Sequence, residues 1–180
     1  MSHEPNTTDA EALFGTTSSV WFVDETDSSA RFAAATLWGR APVRGHLGKA
    51  RGKLEWDGAA GQGQLTIATS GLSSGNRLRD HHLRGSDFFY IAEYPEVEFA
   101  ATELVVDHGH VHMRGDLLVR ENRHAFACAA GATRLDADRI ALDATVAFNV
   151  EELGMSRGLL RMIAPEVTAD VRVVLRRALS

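Results

Sequence analysis

The 180-residue sequence contains one cysteine, Cys128, so the chain can form neither an internal disulfide nor a metal site built from several thiolates. Cys128 lies in the segment HAFACAA, among small and apolar residues, where a thiol is usually an inert core group. No run of about twenty apolar residues is present, so no transmembrane helix is expected. The N-terminal residues lack the basic and apolar regions of a secretory signal, and we therefore predict a cytoplasmic protein.

Acidic residues outnumber basic residues in the sequence. The 19 lysines and arginines against 24 acidic residues give a net charge of −5, which argues against a nucleic-acid partner. Glycine-rich phosphate-binding motifs and the G-x-S-x-G motif of serine hydrolases are both missing. We therefore predict that the protein has no cofactor and is not an enzyme.

What the sequence does contain is a β-strand pattern. Apolar and polar residues alternate over 139–150 and over 167–175, which is typical of antiparallel strands with one buried face. The same rule over 109–120 places Val111, Met113, Leu117 and Val119 on the inner face. Shorter strand-like runs precede these, and two of them, 42–49 and 51–57, are predicted to pair as a hairpin.

The ends of the chain and its helices are predicted as follows. Residues 1–18 are polar, acidic and aperiodic, and we expect a flexible arm with one helical turn at most. Residues 19–180 are expected to form one domain, because single all-β domains commonly reach this length. Helical patterns are confined to about 76–84 and to 156–162.

About ten strand-like runs with short connections must close or stack to hide their edges. Many inward positions are small, among them Gly45, Ala101, Gly115, Ala144 and Ala169. A barrel with small apolar inner positions leaves space for a ligand, whereas a sandwich would fill that space with larger side chains. The sequence therefore predicts an all-β fold, a closed antiparallel β-barrel with one short helix between two strand groups.

One histidine run could bind a metal. His110 and His112 are two residues apart and share a strand face, so with Asp116 they could form the site of a cupin-like metal-dependent enzyme. The alternation that turns Val111 and Met113 inward turns these three side chains outward, whereas a cupin metal lies inside the barrel. We favour a solvated strand face and keep the enzyme as an alternative.

The segment 73–99, SSGNRLRDHHLRGSDFFYIAEYPEVEF, contains the predicted helix. A serine or Asn76 can cap its start, and Gly85 can end it. Such a helix is either a lid, with Arg79 and His82 offering polar groups to a ligand at the barrel mouth, or a simple plug. Spacing alone leaves both interpretations open.

The same segment resembles the YceI-like family, bacterial proteins with a lipocalin-like barrel that bind polyisoprenoids and related long-chain lipids. The residues that match its central motif in order and spacing are Ser74, Gly75, Arg79, Asp80, His82, Leu83, Asp87, Phe88, Phe89, Tyr94, Pro95 and Phe99. Earlier and later matches are Trp21, Asp24, Ser29, Phe32, the segment 113–117 and the segment 150–155. The resemblance covers about residues 20–177.

This resemblance implies a lipocalin-like barrel that binds, sequesters or transports a long-chain apolar lipid, such as a polyisoprenoid, an isoprenoid quinone or an acyl chain. It also suggests a homodimer. We expect the cavity to be lined by Phe22, Phe32, Met113, Leu117, Phe126 and Phe148, with Arg79 and His82 near its mouth. The other alternative is a filled barrel that serves as a ligand-free stress-response interaction module.

Overall fold

The computed structural model describes residues 7–36, 42–155 and 163–178. These residues contain two helices, α1 (Thr7–Phe14) and α2 (Arg77–Arg84). They also contain ten strands, β1 (Ser19–Val23), β2 (Ser29–Thr36), β3 (Val43–His46), β4 (Ala50–Trp56), β5 (Gly61–Ala68), β6 (Glu96–Asp107), β7 (His110–Val119), β8 (Asn122–Arg134), β9 (Arg139–Asn149) and β10 (Ile163–Arg177). The helix predicted over 156–162 lies outside the described residues.

The strands close into an antiparallel barrel. Neighbouring strands follow the order β1-β4-β5-β6-β7-β8-β9-β10, and β10 pairs again with β1 to complete the ring. Strand β2 continues the line of β1 along β10, since Val23 pairs with Leu175 and Ser29 pairs with Arg172. The predicted fold class, an all-β closed antiparallel barrel with a short helix near 76–84, is confirmed.

The predicted hairpin between 42–49 and 51–57 is wrong. Strand β3 pairs with β2, and β4 pairs with β1 and β5, so β3 and β4 are successive parts of one interrupted strand. The short link between them bonds to both sides, because the Leu47 N–H donates to the Ala30 carbonyl and the Gly48 N–H to the Ala68 carbonyl. These bonds carry the chain straight on and leave no turn.

Helix α1 closes one end of the barrel, which we call the α1 end. The Phe14 side chain is 1% exposed and stacks on Trp56, with ring centroids 5.0 Å apart. It also meets Trp21 edge to face at 5.8 Å. The Trp56 indole N–H donates a hydrogen bond of 3.1 Å to the carbonyl of Gly15, just after the helix. Phe14 and Trp56 therefore hold α1 against the barrel.

The prediction of a flexible arm over 1–18 is wrong for its described part. Ala10, Leu13 and Phe14 are all buried, and their spacing places them on one face of the helix. Only a few apolar residues carry this contact in a segment that is otherwise polar. Such a short amphipathic pattern is easily missed in the sequence, because two turns contain so few apolar positions.

The inward faces predicted from alternation are confirmed for the long strands. Val111, Leu117 and Val119 of β7 are buried, as are Ile140 and Leu142 of β9. Large buried side chains fill the α1 end of the barrel: Phe14, Trp21, Leu54, Trp56, Leu104, Val106, Val111, Ile140 and Leu142. The other end lies beneath helix α2, and we call it the α2 end.

Candidate functional site in the barrel interior

An apolar cavity of about 250 Å³ lies inside the barrel. Small side chains leave this space open where larger ones would fill it, notably Ala101, Ala144 and Ala169. The larger apolar side chains on its wall include Phe32, Leu65, Ile67, Leu83, Phe88, Phe89, Val97, Phe99, Leu104, Met113, Leu117, Phe126, Leu142, Val146, Phe148, Leu153, Met155, Val167, Val171 and Leu175. An apolar wall of this extent can desolvate a hydrocarbon but can form few hydrogen bonds with it.

Five of the predicted cavity residues lie on this wall: Phe32, Met113, Leu117, Phe126 and Phe148. Three aromatic rings form a cluster there. The rings of Phe126 and Phe148 stack with centroids 5.4 Å apart, and Phe99 meets Phe126 edge to face at the same distance. Contact of these residues with a ligand stays a prediction.

The prediction that Phe22 lines the cavity is wrong. Its side chain is 52% exposed on the outer face of β1, whereas Trp21 is fully buried. The pattern SVWFV fits either phase of alternation in so short a strand. The inner position is taken by Trp21, which packs against Phe14 of α1.

Helix α2 and the loop after it cover the α2 end of the cavity. Asn76 caps the helix, because its side-chain oxygen accepts a hydrogen bond of 3.0 Å from the Arg79 N–H. Leu83 is buried beneath the helix, and Phe88 and Phe89 follow it onto the cavity wall. The helix and this loop therefore cover the α2 end, and we call helix α2 the lid; its buried Leu83 forms part of the cavity wall.

Arg79 and His82 lie on this lid but not on the described cavity wall. The Arg79 guanidinium donates to the Ser74 hydroxyl at 2.7 Å and to the Ser74 carbonyl at 2.9 Å. The His82 ring is half-buried and lies edge-on to His81. Arg79 thus holds the lid to the loop before it. Ligand binding by either residue stays a prediction that these contacts do not support.

Asp80 forms the second anchor of the lid. Its carboxylate accepts hydrogen bonds from the backbone N–H and the hydroxyl of Ser74 and from the hydroxyl of Ser73. Partial burial alone would raise the pKa of Asp80. The bonds from Ser74 and Ser73, together with the positive charge of Arg84, outweigh that effect and lower the pKa below its usual value. Asp80 therefore holds the lid as a carboxylate.

Cys128 lies on the cavity wall, and its burial raises the pKa of the thiol. A raised pKa keeps the sulfur protonated near neutral pH, and a protonated thiol is a poor nucleophile. This agrees with the interpretation of Cys128 as an inert wall group.

The histidine run lies on the outer face of β7, as the alternation indicates. His110 and His112 are exposed, with ring centroids 6.4 Å apart, and Asp116 forms an ion pair of 3.1 Å with Arg123. In the described part of the chain, no group of three or more histidine, cysteine or acidic side chains is placed to hold a metal ion. The interior metal site of a cupin-like enzyme is therefore not formed by these residues.

Leu83, Leu153 and Met155 close the α2 end of the cavity and were not predicted as site residues. Leu83 lies on a helix, and the other two lie in the turn that follows β9. Strand alternation carries no signal in such segments. The family motif, which includes Leu83 and the segment 150–155, was the only sequence feature that could have indicated them.

Two solved structures share this architecture. BcnA of Burkholderia cenocepacia aligns with a TM-score of 0.76 at 17% identity, over 84% of this chain and 98% of that protein. A polyisoprenoid-binding domain from Saccharophagus degradans, implicated in plant cell wall breakdown, aligns with a TM-score of 0.72 at 17% identity, over 88% and 98% of the two chains. At this identity the two structures show a common fold.

Curated relatives match shorter stretches. Protein YceI of Escherichia coli O157:H7 is 36% identical over 59 residues, which are 33% of this chain and 31% of that protein. A UPF0312 protein of Shewanella denitrificans is 31% identical over 94 residues, 50% of this chain and 49% of that protein. The chain thus spans 31% and 49% of the length of these two curated relatives.

Neither of the two described helices is long and apolar enough to cross a bilayer.

The model of the YceI-like domain family matches residues 21–175, which are nearly all of the barrel. The chain therefore belongs to the YceI-like domain family.

Proposed function

We propose that the protein binds one long apolar lipid chain in the barrel cavity and carries out no chemistry on it. The observation that carries this proposal is the apolar cavity, which is sealed at the α1 end by Phe14, Trp21 and Trp56 and covered at the α2 end by the lid. The described wall includes the thiol of Cys128 and the residues Arg31, Lys53 and Gln64, but no histidine, serine, threonine or carboxylate side chain. The Lys53 ammonium is paired with Glu55 at 2.6 Å, so it is not a free base for the Cys128 thiol.

The dimensions of the cavity suit a single extended chain. The wall residues along β9 and directly after it run from Leu142 to Val150, a length of roughly 26 Å at about 3.3 Å per residue. A strand tilt of about 40° turns this into a depth of about 20 Å along the barrel axis. The volume of about 250 Å³ lies just below the usual range of ligand sites, about 300–1,000 Å³, which favours a slender chain over a bulky ring system.

Burial of such a chain supplies the affinity. Each buried methylene group contributes about 0.8 kcal/mol, so about ten of them contribute roughly 8 kcal/mol before the cost of association. We infer that the ligand is a polyisoprenoid or the isoprenoid tail of a quinone. The polyisoprenoid-binding domain of Saccharophagus degradans supports this choice, because it has the same fold. Sequestration or transport of the lipid follows from binding without chemistry.

Two experiments test the proposal. Solvent extracts of the purified protein, analysed by mass spectrometry, should contain a long-chain lipid that is absent from a mock purification. Titration with cis-parinaric acid, a fluorescent polyene fatty acid, should show saturable binding. Ala144→Phe fills the cavity and should weaken this binding at least tenfold, whereas Ala35→Phe, at an exposed position of β2 away from the cavity wall, should leave it unchanged.

Equal binding by both variants would refute the cavity as the binding site. Absence of any lipid and of any uptake would favour the ligand-free interaction module instead. The homodimer and the cytoplasmic location also remain proposals. Light scattering of the purified protein and fractionation of the source cells would test them.

A further inference from the structure

The barrel wall has one incomplete strand pairing, between β8 and β9. Strand β8 pairs with β7 from Asn122 to Gly131, and β9 pairs with β10 along its length. Across the β8–β9 boundary, however, pairing is limited to Gly131–Arg134 of β8 with Ile140–Asp143 of β9. Residues 122–130 of β8 and 144–149 of β9 therefore face each other without ladder pairing, and we call this stretch the seam.

The backbone groups that face the seam follow from strand alternation. The Ala132 N–H donates to Gly109 on the β7 side, whereas the Leu135 N–H donates to Arg139 on the β9 side. Odd-numbered residues of β8 thus direct their N–H groups towards β9. The Val150 N–H donates to Pro165 on the far side of β9, so odd-numbered residues of β9 face β8. The amides that face the seam are those of residues 123, 125, 127, 129, 145, 147 and 149.

Side chains rather than backbone bonds bridge the seam. On its inner side, the rings of Phe126 and Phe148 stack across it, and both rings lie on the cavity wall. On its outer side, the exposed residues are small and apolar: Ala125, Ala127, Ala129 and Ala147. The path from the outer surface to the cavity at this point therefore crosses one pair of aromatic rings.

The ends of the barrel offer more resistance. At the α1 end, Phe14 is packed between Trp21 and Trp56. At the α2 end, Leu83 is buried, and the Arg120 side chain after β7 donates hydrogen bonds of 3.4 Å and 3.3 Å to the carbonyls of Phe88 and Gly154, which hold the loop after the lid. A ligand that entered at either end would have to displace buried side chains or break these hydrogen bonds. At the seam, two ring rotations suffice and no ladder hydrogen bond breaks.

We propose that the seam is a lateral portal through which the apolar ligand enters and leaves the barrel, with Phe126 and Phe148 as its gate. This inference rests on the proposed lipid binding for its ligand. The small outer alanines would let an alkyl chain approach the gate closely, and the cavity wall continues directly from it.

A reversible cross-link tests the portal. In a Cys128→Ala background, Ala127→Cys and Ala147→Cys place thiols on opposite sides of the seam, where continuation of the β8–β9 register would pair them. A bismaleimide with a reducible linker should slow the uptake of cis-parinaric acid at least tenfold, and reduction should restore the rate. The matched control joins Thr145→Cys to Asp170→Cys, a pair on the fully bonded side of β9, and should have no effect. Uptake at the control rate with the seam locked would overturn the portal.

Amide hydrogen exchange tests the seam without any ligand. The seam-facing amides of β8, residues 123, 125, 127 and 129, should exchange at least tenfold faster than their even-numbered neighbours, which bond to β7. Equal protection of the two sets would show that the strands are bonded in solution and would overturn the inference. Protection that rises with protein concentration would overturn it too, because a second copy would then occupy the edge. A wild-type protein that binds no cis-parinaric acid at equilibrium would instead refute the proposed function.

Discussion

Truncation of Phe14 to alanine is expected to destabilise the whole barrel, although the residue lies in a polar N-terminal segment. The ring is 1% exposed, is stacked on Trp56 at 5.0 Å and meets Trp21 edge to face at 5.8 Å. Its removal leaves a cavity among large side chains that cannot collapse easily, since Trp21 and Trp56 are themselves fixed in strands. Substitutions of this kind cost about 3–5 kcal/mol of unfolding free energy.

Urea unfolding followed by far-ultraviolet circular dichroism measures this loss without relying on the tryptophans that the substitution disturbs. With a urea dependence of about 2 kcal/mol per molar, the midpoint should fall by roughly 1.5–2.5 M. Glu11→Ala, on the exposed face of the same helix, is the matched control and should change the unfolding free energy by less than about 0.5 kcal/mol. Phe14→Leu should fall between the two variants, because it retains part of the buried volume.

A loss below about 1 kcal/mol for Phe14→Ala would refute this reasoning, since it falls well under the cost of an emptied aromatic site. It would mean that α1 does not pack on the barrel in solution and that residues 7–14 behave as the flexible arm expected from composition. A large loss with an unchanged slope against urea would show that α1 unfolds together with the barrel.

Three further predictions concern other parts of the molecule. The pKa of Asp80 is lowered in the folded protein, so the stability that its carboxylate contributes is present near neutral pH and is lost as the pH falls below about 4. Asp80→Asn should therefore cost more unfolding free energy at about pH 7 than at about pH 3. Gly115→Ala should cost about 1–3 kcal/mol in urea unfolding, because a Cβ there would lie 1.9 Å from the Ala100 carbonyl oxygen. In the control Gly109→Ala, the added Cβ meets no atom within 4 Å, so the substitution should cost only its positive-φ strain, about 1 kcal/mol. Replacing His110 and His112 together with alanine should leave lipid uptake and metal content unchanged, and loss of a stoichiometric metal would revive the enzyme alternative.

The long strands could be predicted from the sequence because a period of two assigns every residue of a long run to a face. A run such as β9, with five inward apolar residues in succession, allows a single phase, and Phe148 was placed correctly for that reason. In β1 the same signal is too short to decide, and tertiary packing of Trp21 on α1 sets the phase. For this reason the prediction that Phe22 points into the barrel was wrong.

Strand partners could not be predicted, because pairing depends on contacts between residues far apart in the chain. The apparent hairpin of 42–49 and 51–57 has the length and polarity of a real one, yet β3 bonds to β2 and β4 bonds to β1. The seam could not be predicted for the same reason, because inward and outward residues alternate along β8 as regularly as in a fully paired strand. Alternation reports which face is buried and says nothing about which edge is bonded.

The α1 end of the barrel interior is tightly packed, whereas the rest of the interior contains an open cavity, and the stability of the first offsets the cost of the second. An empty apolar space of about 250 Å³ implies a cost of roughly 6 kcal/mol at about 24 cal/mol per Å³ of cavity. That cost is comparable to the total stability of an ordinary domain, about 5–15 kcal/mol. The tightly packed aromatic layer of Phe14, Trp21 and Trp56 at the α1 end offsets it. The middle of the barrel can therefore keep alanines such as Ala144 and Ala169, and with them room for a ligand, because the large side chains at the α1 end supply packing that this part lacks.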